Sequence, residues 1–473
     1  MRASWTILGL ANSMSDGVLA NIDPRWLAGL GFGTMRAEAL EHMYHQHESE
    51  SPYSDLEEKN EVLLKMKQSA ESTDSWTFYS VRDAYYKNSK LRQLLRRVPK
   101  GNYAHLHFNA YLSTEGISDV YTEVRGGDPI FSGADTTDFQ ELLKTARQPH
   151  GDLMDFPGGG LEGRADIAWP TFQGLTPRFK VPFMYETFWR SYLKAMFRDW
   201  DSHRILHGEL RHVFMQEEII DENGNLIEDV DEAHKLMLDI IRDEAKKAKE
   251  KYKGRVIGAK VIYCIPRMFQ EKQEGAKKDG RWSAEWHVDQ YLKLAKWEDE
   301  NRRDSKVLVV EETAFDVVGR EDRGKDPNGV IMRSTADFSG ELDRLLSTAT
   351  DQGLPANLAL HAGEALDMGE GTMQRRNLEI LADLAKKYPK SRMRGAHLVG
   401  LEHDSVIERL LGHSTRDIME DFKESNVAAE LCPISNEALG TSEGARDAAG
   451  RYTDKIMGSL CTSVSGDDPT YFG

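Results

Sequence analysis

The sequence predicts an α/β fold, a (β/α)8 TIM barrel behind a helical N-terminal extension. Two observations carry this. Beyond about residue 200, apolar stretches of strand length alternate with helical text, a pattern that argues for a parallel sheet. Seven such stretches, with an earlier one at 103–108, make eight, the number that closes a barrel. An open doubly wound sheet is the alternative, weakened by the lack of a strand-linked GxGxxG run.

Residues 1–98 read as the helical extension, and 99–473 as the barrel. In "DLEEKNEVLLKMKQSAES", Val62, Leu63, Met66 and Ala70 recur at helical spacing. "SVRDAYYKNSKLRQLLRRVPK" follows and is stopped at Pro99. The first strand is "YAHLHF", 103–108. Residues 115–180 are rich in Gly, Asp and Pro, including "FPGGGLEG", and an insertion with little regular structure is expected there. The helix "MYETFWRSYLKAMFRDW" leads to the strand "RILHGELRHVFM". "DEAHKLMLDIIRDEAKKAKEKY" is amphipathic, with Ala233, Leu236, Met237, Ile240 and Ile241 on one face, and leads to "RVIGAKVIYCI". Helical text at 283–302, 337–350, 373–388, 404–425 and 443–458 alternates with "SKVLVVEETAF", "ANLALHAGE", "RMRGAHLVG", "VAAELCPIS" and "LCTSVSGDD". No eighth helix follows the last strand. The expectation is that 24–32, "PRWLAGLGF", covers the strand's outer face, or that a shortened chain loses stability and activity.

The composition narrows the function classes. With 473 residues and 40% hydrophobic content, the chain can bury a large core. Its net charge of -17 disfavours non-specific binding of nucleic acid, whose phosphates need Lys and Arg. The three cysteines Cys264, Cys432 and Cys461 form no CxxC pair and do not suggest a disulfide framework. Cys264 and Cys432 read as core thiols. No apolar run has transmembrane length, so no membrane partner is expected. The apolar run Trp5–Ala11 is short for a secretory leader, and no N-x-Ser/Thr sequon occurs; a cytoplasmic location is favoured over secretion.

Metal-ligand residue types gather where these strands end, which in a parallel barrel is the active-site face. His105 and His107 form a His-x-His pair, and alternation along a strand puts both imidazoles on one face. Alone, such a pair is more often incidental. Strand 5 ends in "HAGE" with His361 and Glu364, strand 6 ends at His397, and strand 8 ends in Asp467 and Asp468. Three histidines and a carboxylate supply nitrogen ligands and one anionic oxygen, a set suited to Zn2+. The remaining His, Glu and Asp could move protons around a metal-bound water.

"HLH", "HAGE", "RMRGAHL" and "SGDDP", with "FDVVGRED" (315–322) and "ELCPISN" (430–436), occur in the order of the motifs of the adenosine deaminase superfamily, which this chain resembles. "SWTFYSVRDAYY…LRQLLRRVPKGNYAHLH" is similar to the adenosine deaminase-related growth factor branch. The resemblance implies one zinc ion per chain, held by His105, His107, His361 and Asp467. It implies hydrolytic deamination of adenosine or 2′-deoxyadenosine, giving an inosine-type product and ammonia. His397 would orient the attacking water or take its proton. Glu364 would share a proton with purine N1, a role that needs a raised pKa. Asp468 would contact the ring and the water, and Gly319 would let the ring approach the strand-4 backbone. By the same resemblance, residues 36–97 would pack on the barrel and form a homodimer.

The sequence departs from the family pattern in two of these motifs. The family's ribose-contacting Asp after strand 1 is replaced by Phe108 and Asn109; Asn109 can still bond a hydroxyl, without charge. The strand-6 Gly-His-Gly is Ala396-His397-Leu398, and His403 in "LEHD" is a rival base. Deamination of AMP or another 6-aminopurine is an alternative, with Arg164 or Arg178 as a phosphate anchor. A non-catalytic, growth-factor-like binding relative that keeps the metal is another. Glu209 and Arg211 are expected to pair with each other inside the barrel mouth, and Phe188 and Trp189 to be helix core.

Overall fold

The computed structural model describes residues 99–146, 169, 172, 174–214, 219–267, 283–302, 314–321, 332–354, 356–364, 372–401, 415–439 and 456–468. The helical extension 1–98, with the segment 24–32 and the expected dimer surface, lies outside them, as does "FPGGGLEG".

Eight parallel strands form one sheet in chain order. They are β1 (Gly101–His107), β2 (Ile205–Val213), β3 (Gly258–Pro266), β4 (Ala314–Val318), β5 (Asn357–Ala362), β6 (Met393–His397), β7 (Ala428–Leu431) and β8 (Thr462–Val464). Just past β8, Leu106 and Asp467 form a parallel bridge, and His107 N donates to Asp467 O at 3.4 Å. That contact brings the first and last strands together, as the barrel expectation requires.

The central strands are apolar because both of their faces are covered, whereas β8 is only partly buried and exposes Val464. β3 is buried along nearly its whole length. Around the sheet lie α3 (Glu186–His203), α4 (Val230–Lys251), α5 (Ala284–Arg302), α6 (Ser339–Gln352), α7 (Thr372–Lys387) and α8 (Thr415–Glu424), preceded by α1 and α2, described below. α3 buries Phe188, Trp189, Tyr192, Leu193, Met196, Phe197 and Trp200, a helical stripe. Phe188 and Trp189 are thus helix core. α4 is capped by Asp229, whose side chain accepts Glu232 N, and it buries Ala233, Met237, Ile240 and Ile241 as the periodicity predicts. Gly208 on β2 has no alternative residue: an added Cβ would stand 2.4 Å from the Trp200 ring.

Three expectations are corrected. The stretch after β1 is helical where it is described, in α1 (Thr114–Gly127), a single turn Pro129–Ser132 and α2 (Thr137–Ala146). Ser113 caps α1, and Ile117, Val120, Tyr121 and Val124 recur on its buried face. Among the described residues, Gly126, Gly127 and Asp128-Pro129 stand where α1 gives way to the single turn, and Gly133 follows that turn. The fourth strand runs on to Val318, past its expected end at Phe315, because the buried Asp316 finds partners and does not interrupt it. The seventh strand stops at Leu431, and "PISNEA" is instead a short helix, α9 (Pro433–Ala438), with proline at its first position.

Candidate metal centre

The predicted quartet comes together. One ligand atom from each of His105, His107, His361 and Asp467 lies within 4.8 Å of the others. His105 Nε2 stands 3.0 Å and His107 Nε2 3.2 Å from Asp467 Oδ1. Donors about 2.0–2.1 Å from a tetrahedral ion stand roughly 3.3 Å apart, so this spacing fits one ion. The His105 ring centroid lies 4.8 Å from that of His361, and the His107 centroid 5.4 Å from it. All four side chains are buried or nearly so.

Hydrogen bonding fixes the direction of the lone pairs. His105 Nδ1 lies 3.0 Å from Glu430 Oε2, and His361 Nδ1 lies 2.7 Å from Asp316 Oδ2. A carboxylate there is an acceptor, so each Nδ1 carries the proton and each Nε2 presents a bare lone pair. His105 Nε2 and Asp467 Oδ1 are buried and make no hydrogen bond with a described residue. Two acceptors facing each other at 3.0 Å are mutually repulsive unless a cation lies between them. That orphaned pair is the test of fit, and it favours a metal.

Two other groupings share these atoms, His105–His397–Cys432–Asp467 and His361–Glu364–His397. Cys432 is a poor ligand here: burial, then the charges of Asp467 and Glu430, push its thiol well above its ordinary value, and metals bind the thiolate. Cys264 is likewise a buried thiol.

Around the quartet stand the proton-handling groups. His397 Nδ1 lies 2.7 Å from Asn436 Oδ1, so it donates to that amide, and its Nε2 lies 3.7 Å from Asp467 Oδ2. Burial, only partly offset by Asp467, lowers His397 to about 4, so it is neutral near pH 7. Glu364 Oε1 lies 3.6 Å from His397 Nδ1. Burial, then the charges of Asp467 and Glu321, hold Glu364 well above the usual carboxylate range. Burial, opposed by His107 and aided by Asp467, raises Asp468 to about 8. Two site residues adopt left-handed backbone, His397 at φ 65° and Asp467 at φ 63°. Non-glycine residues rarely do so away from constrained sites.

Gly319 directly follows β4 with φ 110°, and an added Cβ would meet Met332 Cε at 3.1 Å. Its carbonyl accepts from Arg267 Nε at 2.9 Å. Asn109 lies in the 3-10 turn Phe108–Ala110, two residues after His107, and is half-buried. His403 and Arg164 lie outside the described residues; Arg178 donates to the Asp138 carbonyl at 3.3 Å, on an exposed surface. The expected Glu209–Arg211 pairing is not what forms. Glu209 pairs with Arg394, and Arg211 with Asp316 and Glu430, because the barrel interior offers each a partner from another strand.

Asp316, Glu430, Asn436 and Glu321 bond the residues of the candidate site, and the sequence assigned none of them to it. A single carboxylate in an otherwise apolar strand, as in "AFDVV" and "AAEL", was the available signal, because a buried charge needs a partner.

No family model matches this chain, and no curated protein matches it. Solved structures with a similar fold include an adenine deaminase from Arthrobacter aurescens, 15% identical, covering 80% of this chain and 84% of that one at a TM-score of 0.43. An N6-mAMP deaminase from arabidopsis is 12% identical over 80% and 85% of the two chains, at a TM-score of 0.46. A zinc-bound amidohydrolase from Burkholderia ambifaria is 15% identical over 83% and 81%, at a TM-score of 0.44. At these levels of identity and overlap, the likenesses assign no activity to this chain.

Proposed function

We propose that this chain is a zinc-dependent hydrolase of the adenosine deaminase type, removing the 6-amino group of adenosine or 2′-deoxyadenosine. The observation that carries the reading is the convergence of bare imidazole lone pairs on the Asp467 carboxylate, beside the buried carboxyl group of Glu364. His105, His107, His361 and Asp467 would hold the metal. Zinc in such a site supplies Lewis acidity that brings the pKa of water towards neutrality.

The chain's own residues supply the rest. Glu364, held well above the usual carboxylate range by burial, can when protonated donate to a ring nitrogen and make the adjoining carbon more electrophilic. His397 is neutral, with Nδ1–H committed to Asn436, so its free Nε2 can accept a proton from water. Asp468, raised to about 8 by burial, can donate to a ring nitrogen when protonated, and burial keeps bulk water from competing. The strand order of the motifs supports an aminopurine as the substrate. Arg178 is bonded to the Asp138 carbonyl, which favours a nucleoside over a nucleotide anchored by that residue.

The test is a panel of adenosine, 2′-deoxyadenosine, AMP and adenine, followed by loss of the aminopurine absorbance band and release of ammonia. Turnover of the nucleosides that is abolished by a chelator and restored by zinc is the expected result. A zinc-loaded, folded protein that deaminates none of the four refutes the reading.

A further inference from the structure

Arg211 is a fully buried arginine on β2, below the quartet. Its Nε donates to Asp316 Oδ2 at 2.9 Å and its Nη2 to Glu430 Oε2 at 2.6 Å. Its remaining bonds go to backbone, from Nη1 to Ala104 O at 3.1 Å and from Nη2 to Ala359 O at 3.0 Å. Ala104 directly precedes His105 on β1, and Ala359 lies two residues before His361 on β5.

The two carboxylate oxygens that Arg211 holds are the same two that face the histidines. Asp316 Oδ2 accepts from both Arg211 Nε and His361 Nδ1, and Glu430 Oε2 from both Arg211 Nη2 and His105 Nδ1. The second Asp316 oxygen is engaged by His361 N at 2.9 Å and Val317 N at 2.7 Å, so that carboxylate cannot turn. Glu430 is steadied from the other side by Arg394 Nε at 2.9 Å.

We infer that Arg211 is a positioning residue of the metal centre, a single guanidinium that sets the aim and tautomer of His105 and His361 together through Asp316 and Glu430. Its hydrogen bonds among the described residues go to Asp316, Glu430 and two backbone carbonyls, not to a coordinating atom of the quartet. The fork geometry matters as much as the charge: one planar cation reaches two carboxylates on different strands at fixed angles, which an ammonium on a flexible stem cannot reproduce. Orienting partners of this kind typically affect metal affinity by about 10- to 100-fold. The inference rests on the metal-hydrolase reading above.

The test measures metal binding, not turnover. Zn2+ affinity is determined by chelator competition, and the Co2+-substituted protein gives a visible absorption spectrum that reports ligand geometry. Arg211→Lys is expected to fold, to bind Zn2+ about 10- to 100-fold more weakly and to show an altered Co2+ spectrum. Asp316→Asn and Glu430→Gln should each weaken binding, and their double variant should lose less than the product of the two single losses, because both act through Arg211. If Arg211→Lys does not fold, the Asp316–Glu430 cycle decides alone, and losses that simply multiply overturn the inference. Wild-type protein that binds neither Zn2+ nor Co2+ overturns the metal reading and the inference with it. Wild-type protein that binds metal, beside an Arg211→Lys variant of equal affinity and unchanged spectrum, overturns the inference alone.

Discussion

A carboxylate oxygen of Glu321 accepts the backbone N–H of Glu364 at 2.8 Å, so the acid expected to donate a proton is held in place by another acid. Glu321 also pairs with Arg267 at 2.9 Å and accepts from Thr335 at 3.0 Å, which keeps it fixed. Its charge is one of the influences that raise the pKa of Glu364, after burial and Asp467. Glu321→Gln removes that repulsion, so Glu364 ionises more easily. Because Glu364 must be protonated to donate, the alkaline limb of kcat/KM should move to lower pH. A pH–rate profile checks this, and an unmoved limb in a zinc-loaded variant shows that Glu321 only holds the backbone.

Glu364→Gln should retain the metal and lose turnover by roughly a hundredfold or more, the usual scale for an acid–base residue. The amide keeps the size of the side chain but has no acid proton to give. Metal analysis beside steady-state kinetics separates the two effects. Near-native turnover would remove Glu364 from the role of acid.

His361→Ala and His397→Ala should fail in different ways. The first takes away a lone pair aimed at Asp467 and leaves Asp316 without its imidazole partner, so bound zinc should be lost. The second leaves the quartet intact, so zinc should stay while turnover falls. Metal-to-protein ratios after dialysis decide it. Loss of zinc from both variants would make His397 a ligand.

Acid should destabilise the fold before it reaches the range of the carboxylates. His234, in α4, is fully buried, and neither ring nitrogen has a hydrogen-bond partner among the described residues. Burial, then the nearby His287 and Lys293, lowers it from 6.5 to about 3. His212, lowered to about 3 by burial and Lys180, behaves alike. Below pH 6.5 the unfolded chain takes up protons that the folded chain refuses, so stability falls as pH drops from about 6.5 to about 3. Every tenfold loss of proton affinity on folding corresponds to about 1.4 kcal/mol. His234→Leu should therefore flatten the fall in melting temperature below pH 6.5, as followed by calorimetry. An equally steep fall in the variant would show that His234 is not among the groups responsible.

The sequence was most informative where one residue type carries one job. The eight strands were legible because barrel strands covered on both faces are continuously apolar. The residues that gather in the candidate site were legible because His-x-His and Asp-Asp stand at strand ends. The helices of 114–146 were missed because composition averages over breaks, while α1 announces itself only through the spacing of Ile117, Val120, Tyr121 and Val124. The supporting shell was missed for a different reason. Asp316, Glu430 and Arg211 lie far apart in sequence, and only closure of the barrel makes them neighbours. Glu209 and Arg211 share a face and an opposite charge, which suggested the wrong partnership; which partner wins depends on what the other strands bring inward.

The bridge between Leu106 and Asp467 has a consequence for the order of events during synthesis. His105 N bonds Ser465 Oγ across 360 residues of chain, and Gly466 N bonds Tyr103 Oη across 363. Contacts at such separation are slow to form, since a long loop must close before they contribute. A ribosome-bound chain that has emerged only as far as β7 holds three of the four residues of the proposed metal site and lacks the Asp467 carboxylate. Under the proposed function, metal loading at full strength must then wait until β8 has been made, and the ion would join the first and last strands of the barrel.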